Sequence, residues 1–448
     1  MIARLPAGIC RRTAMMLGLI VSMTACHGLL ETTDPTLIRN QDITNATGAE
    51  GRRIASVQYW ENAFLTTTRY SAIFSDEATY DAPSVTGYEQ VLDWTMDTRD
   101  TTGMQNYPRS DPVIRPQTTA FWTTTLALYG IKAYGTPALK EDYIAQLFAL
   151  RGHIVVQMAE ALCPGFPIND VDSENRPVYG TGLTTDSALK YAVAQFDSSL
   201  AHVKDSTQFA NLAQVLKGRA LLDLGRYADA AAAVQSVPND FAYAPELVAS
   251  NNPFYNEYAA RVNANSRIIF MSDREGGNGL PYVSEHDTIR IPVKYLGKRR
   301  SVPTDSMFAQ AIYKSSTTPI PTATGLEAQL IKMEAAYQAN DPSWFTTLNT
   351  LRTNVGLAPI ATIPATDTGR VNLIFHERAF WLFRSGHRLG DMRRLLWRYH
   401  RDPATVFPTG NYAIFGLHYA PVTAIPYITK YETDLNPNIK SGCSADQR

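Results

Sequence analysis

Aromatic side chains in irregular, polar stretches are the residues of this sequence best suited to ligand chemistry. Trp94 and Tyr107 stand in the run 76–117, which is rich in Asp, Thr, Pro and Tyr and shows no helical or strand periodicity. Tyr80 and Tyr88 share that run, and Tyr282 lies in a second irregular region. A flat ring stacks on the apolar face of a sugar while nearby Asp, Asn or Arg satisfy its hydroxyls, so these five are candidate carbohydrate platforms. The competing reading is packing. The chain has 23 Tyr, and most rings in a globular protein are largely buried.

Reactive motifs are missing. The sequence contains no G-x-S-x-G elbow, no G-x-x-x-x-G-K-[ST] phosphate loop and no H-E-x-x-H pair. His376 and His387 are eleven apart, which a continuous helix would place on one face, but Gly386 breaks such a helix and no third ligand is near. Asp170, Asp172 and Glu174 alternate as hard-cation ligands can, yet Asn175 stands where a calcium loop needs Gly, and a solvated acidic loop fits better. Carboxylate pairs for glycoside hydrolysis are set only in three dimensions, and nothing in the sequence points to one. No cofactor, metal or enzymatic activity is expected.

The elements that must position the aromatic loops are helices. In 209–238, Phe209, Leu212, Ala213, Leu216 and Ala220 recur at spacings of three and four, Gly225 ends the first helix, and Tyr227, Ala230, Ala231 and Val234 restart the stripe. Gly218 removes bulk where a neighbouring helix can approach. This order of small residues is that of tetratricopeptide repeats. A second helix–turn–helix unit covers 325–352, turning at Asn340-Asp341-Pro342. Further helical stripes predict helices over 52–72, with Ile54, Tyr59, Phe64 and Leu65 facing inward, and over 121–134, 140–162, 185–203 and 371–398. Residues 239–322 read as irregular, with strand-like pieces at 266–271 and 288–293. The expected class is mostly α, a superhelix of helical hairpins with long loops and a few short strands.

The 448 residues carry a formal charge of −1, are 45% hydrophobic and only 19% charged, so nothing points to nucleic acid as a partner. Residues 1–25 read as a targeting segment, with Arg4, Arg11 and Arg12 before the short apolar stretch 14–21. Ser22, Met23, Thr24 and Ala25 precede Cys26 and resemble the lipobox of bacterial lipoproteins, with Met23 in place of the usual Leu. Cys26 would then be the lipidated first residue of the mature chain, 26–50 a tether and 51–448 one domain. Ordinary secretion with cleavage near Ala25, which leaves Cys26 a plain thiol, is the alternative. Cys163 and Cys443 would remain, as one disulfide or as two thiols.

The last helical block and the tail carry something more specific. Glu377-Arg378, the run 383–388 (FRSGHR), the run 391–395 (DMRRL) and Asn436-Pro437-Asn438 resemble the carboxy-terminal signature of the SusD/RagB family. The lipobox, the unit at 209–238, the unit at 325–352 and the tail follow that family's order. The resemblance implies four tetratricopeptide-like helix pairs beneath a looped face, in a non-enzymatic lipoprotein anchored in the outer membrane of the cell. It implies capture of a nutrient, commonly a glycan, and its delivery to a SusC-like TonB-dependent transporter. A tetratricopeptide-type adaptor for a peptide or protein of the cell envelope is the alternative. Within the signature, Arg378, Arg384, Arg388, Arg393 and Arg394 read as buried forks that lock the hairpin, with Glu377 and Asp391 as partners.

Overall fold

The computed structural model describes residues 43–80 (without the Tyr80 side chain), 113–244, 269–298, 305–315, 317–410, 419, 423–425 and 434–439. All of its named elements lie in the compact unit Thr44–Arg448. Helix α1 (Ala46–Phe74) begins where the Asn45 side chain accepts the backbone N–H of Gly48 at 2.9 Å, inside the stretch read as tether. Its buried face runs through Trp60, Ala63, Phe64 and Thr67. Phe64 and Leu65 point inward as expected, whereas Ile54 and Tyr59 are 47% and 42% exposed. Trp60 fixes the phase: its indole N–H donates to His153 Nδ1 at 3.0 Å, and Tyr59 and Ile54 are thereby turned away from the core.

Strand β1 (Ala78–Tyr80) follows, and then helices α2 (Ile114–Tyr134) and α3 (Lys140–Ala161). Helix α3 is buried nearly all round, so its apolar stripe understates how central it is. A Cβ on Gly152 would come 2.5 Å from the Phe196 ring, which shows how closely α3 packs against α4 (Thr185–His202). Between them lie two small antiparallel pairs, β2 (Phe166–Pro167) with β5 (Gly182–Leu183), and β3 (Asp170–Val171) with β4 (Pro177–Val178). The cap of α4 is Thr184, which accepts from the Ser187 N–H at 3.1 Å.

Helices α5 (Thr207–Asp223) and α6 (Tyr227–Ala233) form the expected hairpin. Gly225 turns it at φ +74°, and a Cβ on Gly218 would sit 2.5 Å from Val234 Cγ1. The chain continues through β6 (Ala242–Tyr243), β7 (Ile269–Met271), β8 (Val293–Lys298), β9 (Ser306–Gln310) and β10 (Ala323–Thr324) into the second hairpin, α7 (Gly325–Gln338) and α8 (Ser343–Asn354). The pairs β1–β7, β6–β10 and β8–β9 are antiparallel. The strand-like piece at 288–293 is instead a turn that enters β8, closed by Asp287 accepting the Arg290 N–H at 3.0 Å. Helices α9 (Asp367–Trp381) and α10 (Arg388–Tyr399) split the last block, and α11 (Pro403–Val406) follows. The chain is thus mostly helical and built from hairpins.

Candidate functional site

The turn between α9 and α10 contributes to the surroundings of two cavities among the described residues. Arg384 and Gly386 both have positive φ there, at 59° and 89°. The strained Arg384 is held by its own bonds: its N–H donates to Glu77 Oε1 at 2.8 Å and its guanidinium to the Phe270 carbonyl at 3.0 Å. Arg388 forks onto Asp76 at 2.6 and 2.8 Å, and Arg378 forks onto Asp391 at 2.9 Å. Arg394 binds Glu334, Asp223 and Asp391 at 2.6–3.0 Å. Arg393 donates to the carbonyls of Ala159, Glu160 and Leu162, and so caps the carboxy end of α3.

Asp391 is the expected partner, but Glu377 is not. Adjacent to Arg378 on a helix, Glu377 points about 100° away and accepts instead from Arg290 at 2.8 Å and Arg352 at 2.6 Å. Burial alone would raise the Asp391 carboxyl; Arg378 and Arg394 reverse that and hold it well below the usual range. Burial pushes the Glu77 carboxyl up to about 7 against the pull of Arg384.

A cavity of about 310 Å³ lies beside this turn, between α9, the amino end of α7 and the chain around 312–321. Phe380, Phe383, Pro319, Pro321 and Leu326 give it apolar walls, and Glu327, Ser385 and His387 a polar floor. Arg290 also lines it, with its guanidinium centre 5.0 Å from the Phe380 ring and 5.2 Å from the Trp381 ring. A second cavity of about 380 Å³ is lined by Asn278, Asn372, Phe375, His376 and Arg401 among others. There Arg401 donates to Asn372 Oδ1 and the Thr368 carbonyl.

The expected site residues fall differently. Cys26, Tyr88, Trp94 and Tyr107 lie outside the described residues, and of Tyr80 only the backbone is described, paired with Ile269. Tyr282 is not an exposed platform. It is 1% exposed, its ring lies 5.4 Å from Phe380 and 4.9 Å from Phe383, and its hydroxyl donates to Asp76 at 3.3 Å. Burial pushes its phenol well up. The signal missed was the aromatic cluster Phe380, Trp381 and Phe383 just before Gly386: all three line the first cavity, and Phe380 and Phe383 pack on Tyr282.

Cys163 is disulfide-bonded, to a partner outside the described residues. His376 bonds Glu285 at 2.8 Å and stacks on Phe380, whereas His387 lies on the cavity floor. Asp172 accepts from Arg176 at 2.7 Å in the β3–β4 turn. Among the described residues no group of three or more His, Cys, Asp or Glu could hold a metal ion, and no helix is long and apolar enough to cross a membrane.

Compared by sequence, the chain matches no protein-family model and no curated protein. Compared by structure, it is similar to a SusD-like carbohydrate-binding protein of Bacteroides vulgatus, with TM-score 0.62 and 15% identity over 89% of this chain and 98% of that one. A SusD superfamily protein of Bacteroides thetaiotaomicron gives 0.64 and 14% over 88% and 99%. Surface glycan-binding protein A of Bacteroides thetaiotaomicron, solved with laminarihexaose, gives 0.59 and 12% over 89% and 100%. Agreement of this extent, along nearly the whole of each chain, settles the architecture: this chain has the SusD-like fold.

Proposed function

We propose that the chain is a cell-surface glycan-binding lipoprotein of the SusD/RagB type, which captures an oligosaccharide and delivers it to a SusC-like TonB-dependent transporter. The observation that carries this is the SusD-like fold itself, shared over 89% of the chain with proteins whose names say that they bind carbohydrate or glycan. The signature at 377–395 supports it, because its arginines hold together the helices and strands that this fold brings side by side. Cys26 supplies the outer-membrane anchor in this reading. Each CH₂ of an acyl chain adds about 0.8 kcal/mol of membrane affinity. Binding is non-catalytic, and ligand is released unchanged.

The test is a glycan array probed with the full chain in detergent, with each hit incubated and assayed for product. Binding without turnover is expected. Binding only to peptides would favour the adaptor, and product formation would mean an enzyme.

A further inference from the structure

The carboxy-terminal chain meets the end of α3 and the turns that follow it. Ile425 bridges Leu162: its N–H donates to the Ala161 carbonyl at 2.8 Å, and its carbonyl accepts the Cys163 N–H at 3.0 Å. Farther along, Asn436 donates to Asn169 Oδ1 at 3.2 Å and to the Gly180 carbonyl at 3.1 Å, and Asn438 donates to the Tyr179 carbonyl at 3.0 Å. The motif Asn436-Pro437-Asn438 therefore anchors the tail on the strand pairs β2–β5 and β3–β4, which the chain enters directly after Cys163. Asn436 is 1% exposed and Ile439 is buried beside it, so the anchor belongs to the packed interior.

Cys163 is itself buried and disulfide-bonded. The sequence holds three possible partners, Cys10, Cys26 and Cys443. Cys10 and Cys26 precede the compact unit Thr44–Arg448 that contains Cys163, whereas Cys443 belongs to it. Cys443 is four residues beyond Ile439. Four extended residues reach about 13–14 Å, and a disulfide needs α-carbons about 4.4–6.8 Å apart. The anchor thus confines Cys443 to a small volume around the turns that follow Cys163.

We propose that Cys163 is bonded to Cys443 and that the bond is a covalent clasp on the tail, which Asn436 and Asn438 place for it. The pairing goes beyond the glycan-binding reading and shares with it only the assignment of Cys26 to the lipid anchor. The loop that it closes contains both hairpins and the arginine signature, so its constraint on the unfolded chain extends over most of the fold. Bonds of this kind persist in oxidising compartments, which suits an exported chain.

The test is non-reducing peptide mapping of the full chain, unfolded in the presence of an alkylating reagent and digested with trypsin. Cleavage after Lys and Arg, with the Arg176-Pro177 bond left intact, places Cys163 in the peptide 152–190, Cys443 in 441–448 and Cys26 in a peptide that ends at Arg39. One linked species, 152–190 with 441–448, is expected, and reduction should separate it. As a second measure, Cys443→Ala should lower the unfolding midpoint of the wild type and leave that of a Cys163→Ala background unchanged. Linkage of 152–190 to the peptide that ends at Arg39 overturns the pairing and the lipid anchor together. Cys163 recovered in alkylated form without reduction, or an equal fall in midpoint in the two backgrounds, overturns the pairing and leaves the glycan-binding reading standing.

Discussion

Asp391→Asn keeps the shape of a side chain at the centre of the ionic core and removes its charge. Asp391 accepts two bonds from Arg378 at 2.9 Å and one from Arg394 at 2.8 Å. After substitution Arg394 keeps Glu334 and Asp223, while Arg378 is left with Glu334 Oε2 at 3.5 Å. The new amide presents an NH₂ to a guanidinium, donor against donor, so a charge stays buried without its partner. Removing one member of such a pair costs about 3–5 kcal/mol, a large part of the roughly 5–15 kcal/mol that holds a domain folded.

The assay is denaturant unfolding of the full chain, in which the midpoint should fall at pH 7 with an unchanged slope. The sign with pH follows from the depressed carboxyl. Its folded value lies below the unfolded one of about 3.9, so the stabilisation is complete above that value and is lost as pH falls toward the folded value. The gap between wild type and variant should therefore narrow progressively below about pH 4. Equal midpoints at pH 7, or a gap that does not narrow in acid, would refute the reasoning. Asp229→Asn, which breaks the exposed pair with Arg226, is the control and should leave the midpoint in place.

Glu77 has the opposite sign. Its carboxyl is raised to about 7, so the folded chain favours the protonated form and carries a penalty that grows as pH rises from about 4.5 to 7. Glu77→Gln should stabilise the chain by about 1–3 kcal/mol at pH 8 and hardly at all at pH 4; a lower midpoint than wild type at pH 8 would count against this. Gly218→Leu drives a side chain into Val234, and thermal unfolding should show a loss of about 1–3 kcal/mol, whereas an unchanged melting temperature would contradict the close helix crossing. Cys26→Ala should abolish incorporation of labelled palmitate, and normal labelling would remove the lipobox reading. Trp94→Ala should weaken glycan binding without altering the unfolding midpoint; undiminished affinity would exclude Trp94 from the site.

The helices were legible because their signals are local. Leu212, Leu216 and Ala220 are each four residues apart and are buried along one helix, and Gly225 needs only its own backbone angle to end it. Where an orientation depended on a distant side chain, the sequence misled. Ile54 and Tyr59 look as apolar as Phe64, but the bond from Trp60 to His153, 93 residues away, decides which side of α1 faces inward. Tyr282 stands in an irregular stretch, as a ligand platform would, yet Asp76, 206 residues earlier, takes its hydroxyl into the core.

The signature shows the same division. Its arginines are readable as buried forks, but most of their carboxylates are not, because Asp76, Asp223 and Glu334 lie 312, 171 and 60 residues from the arginines they bind. This division also explains why a strong signature says so little about ligand. Arg378, Arg384, Arg388, Arg393 and Arg394 all direct their hydrogen bonds into the protein, to carboxylates or to backbone carbonyls. A guanidinium held in that way fixes the turn between α9 and α10 and has little freedom to select a substrate. The two polar residues of that turn that line the 310 Å³ cavity are Ser385 and His387, whose neighbours there include residues of 312–327. Those neighbours can change without disturbing the fork geometry. Specificity for one glycan over another is therefore expected to be written in the irregular segments around the signature rather than in the signature itself.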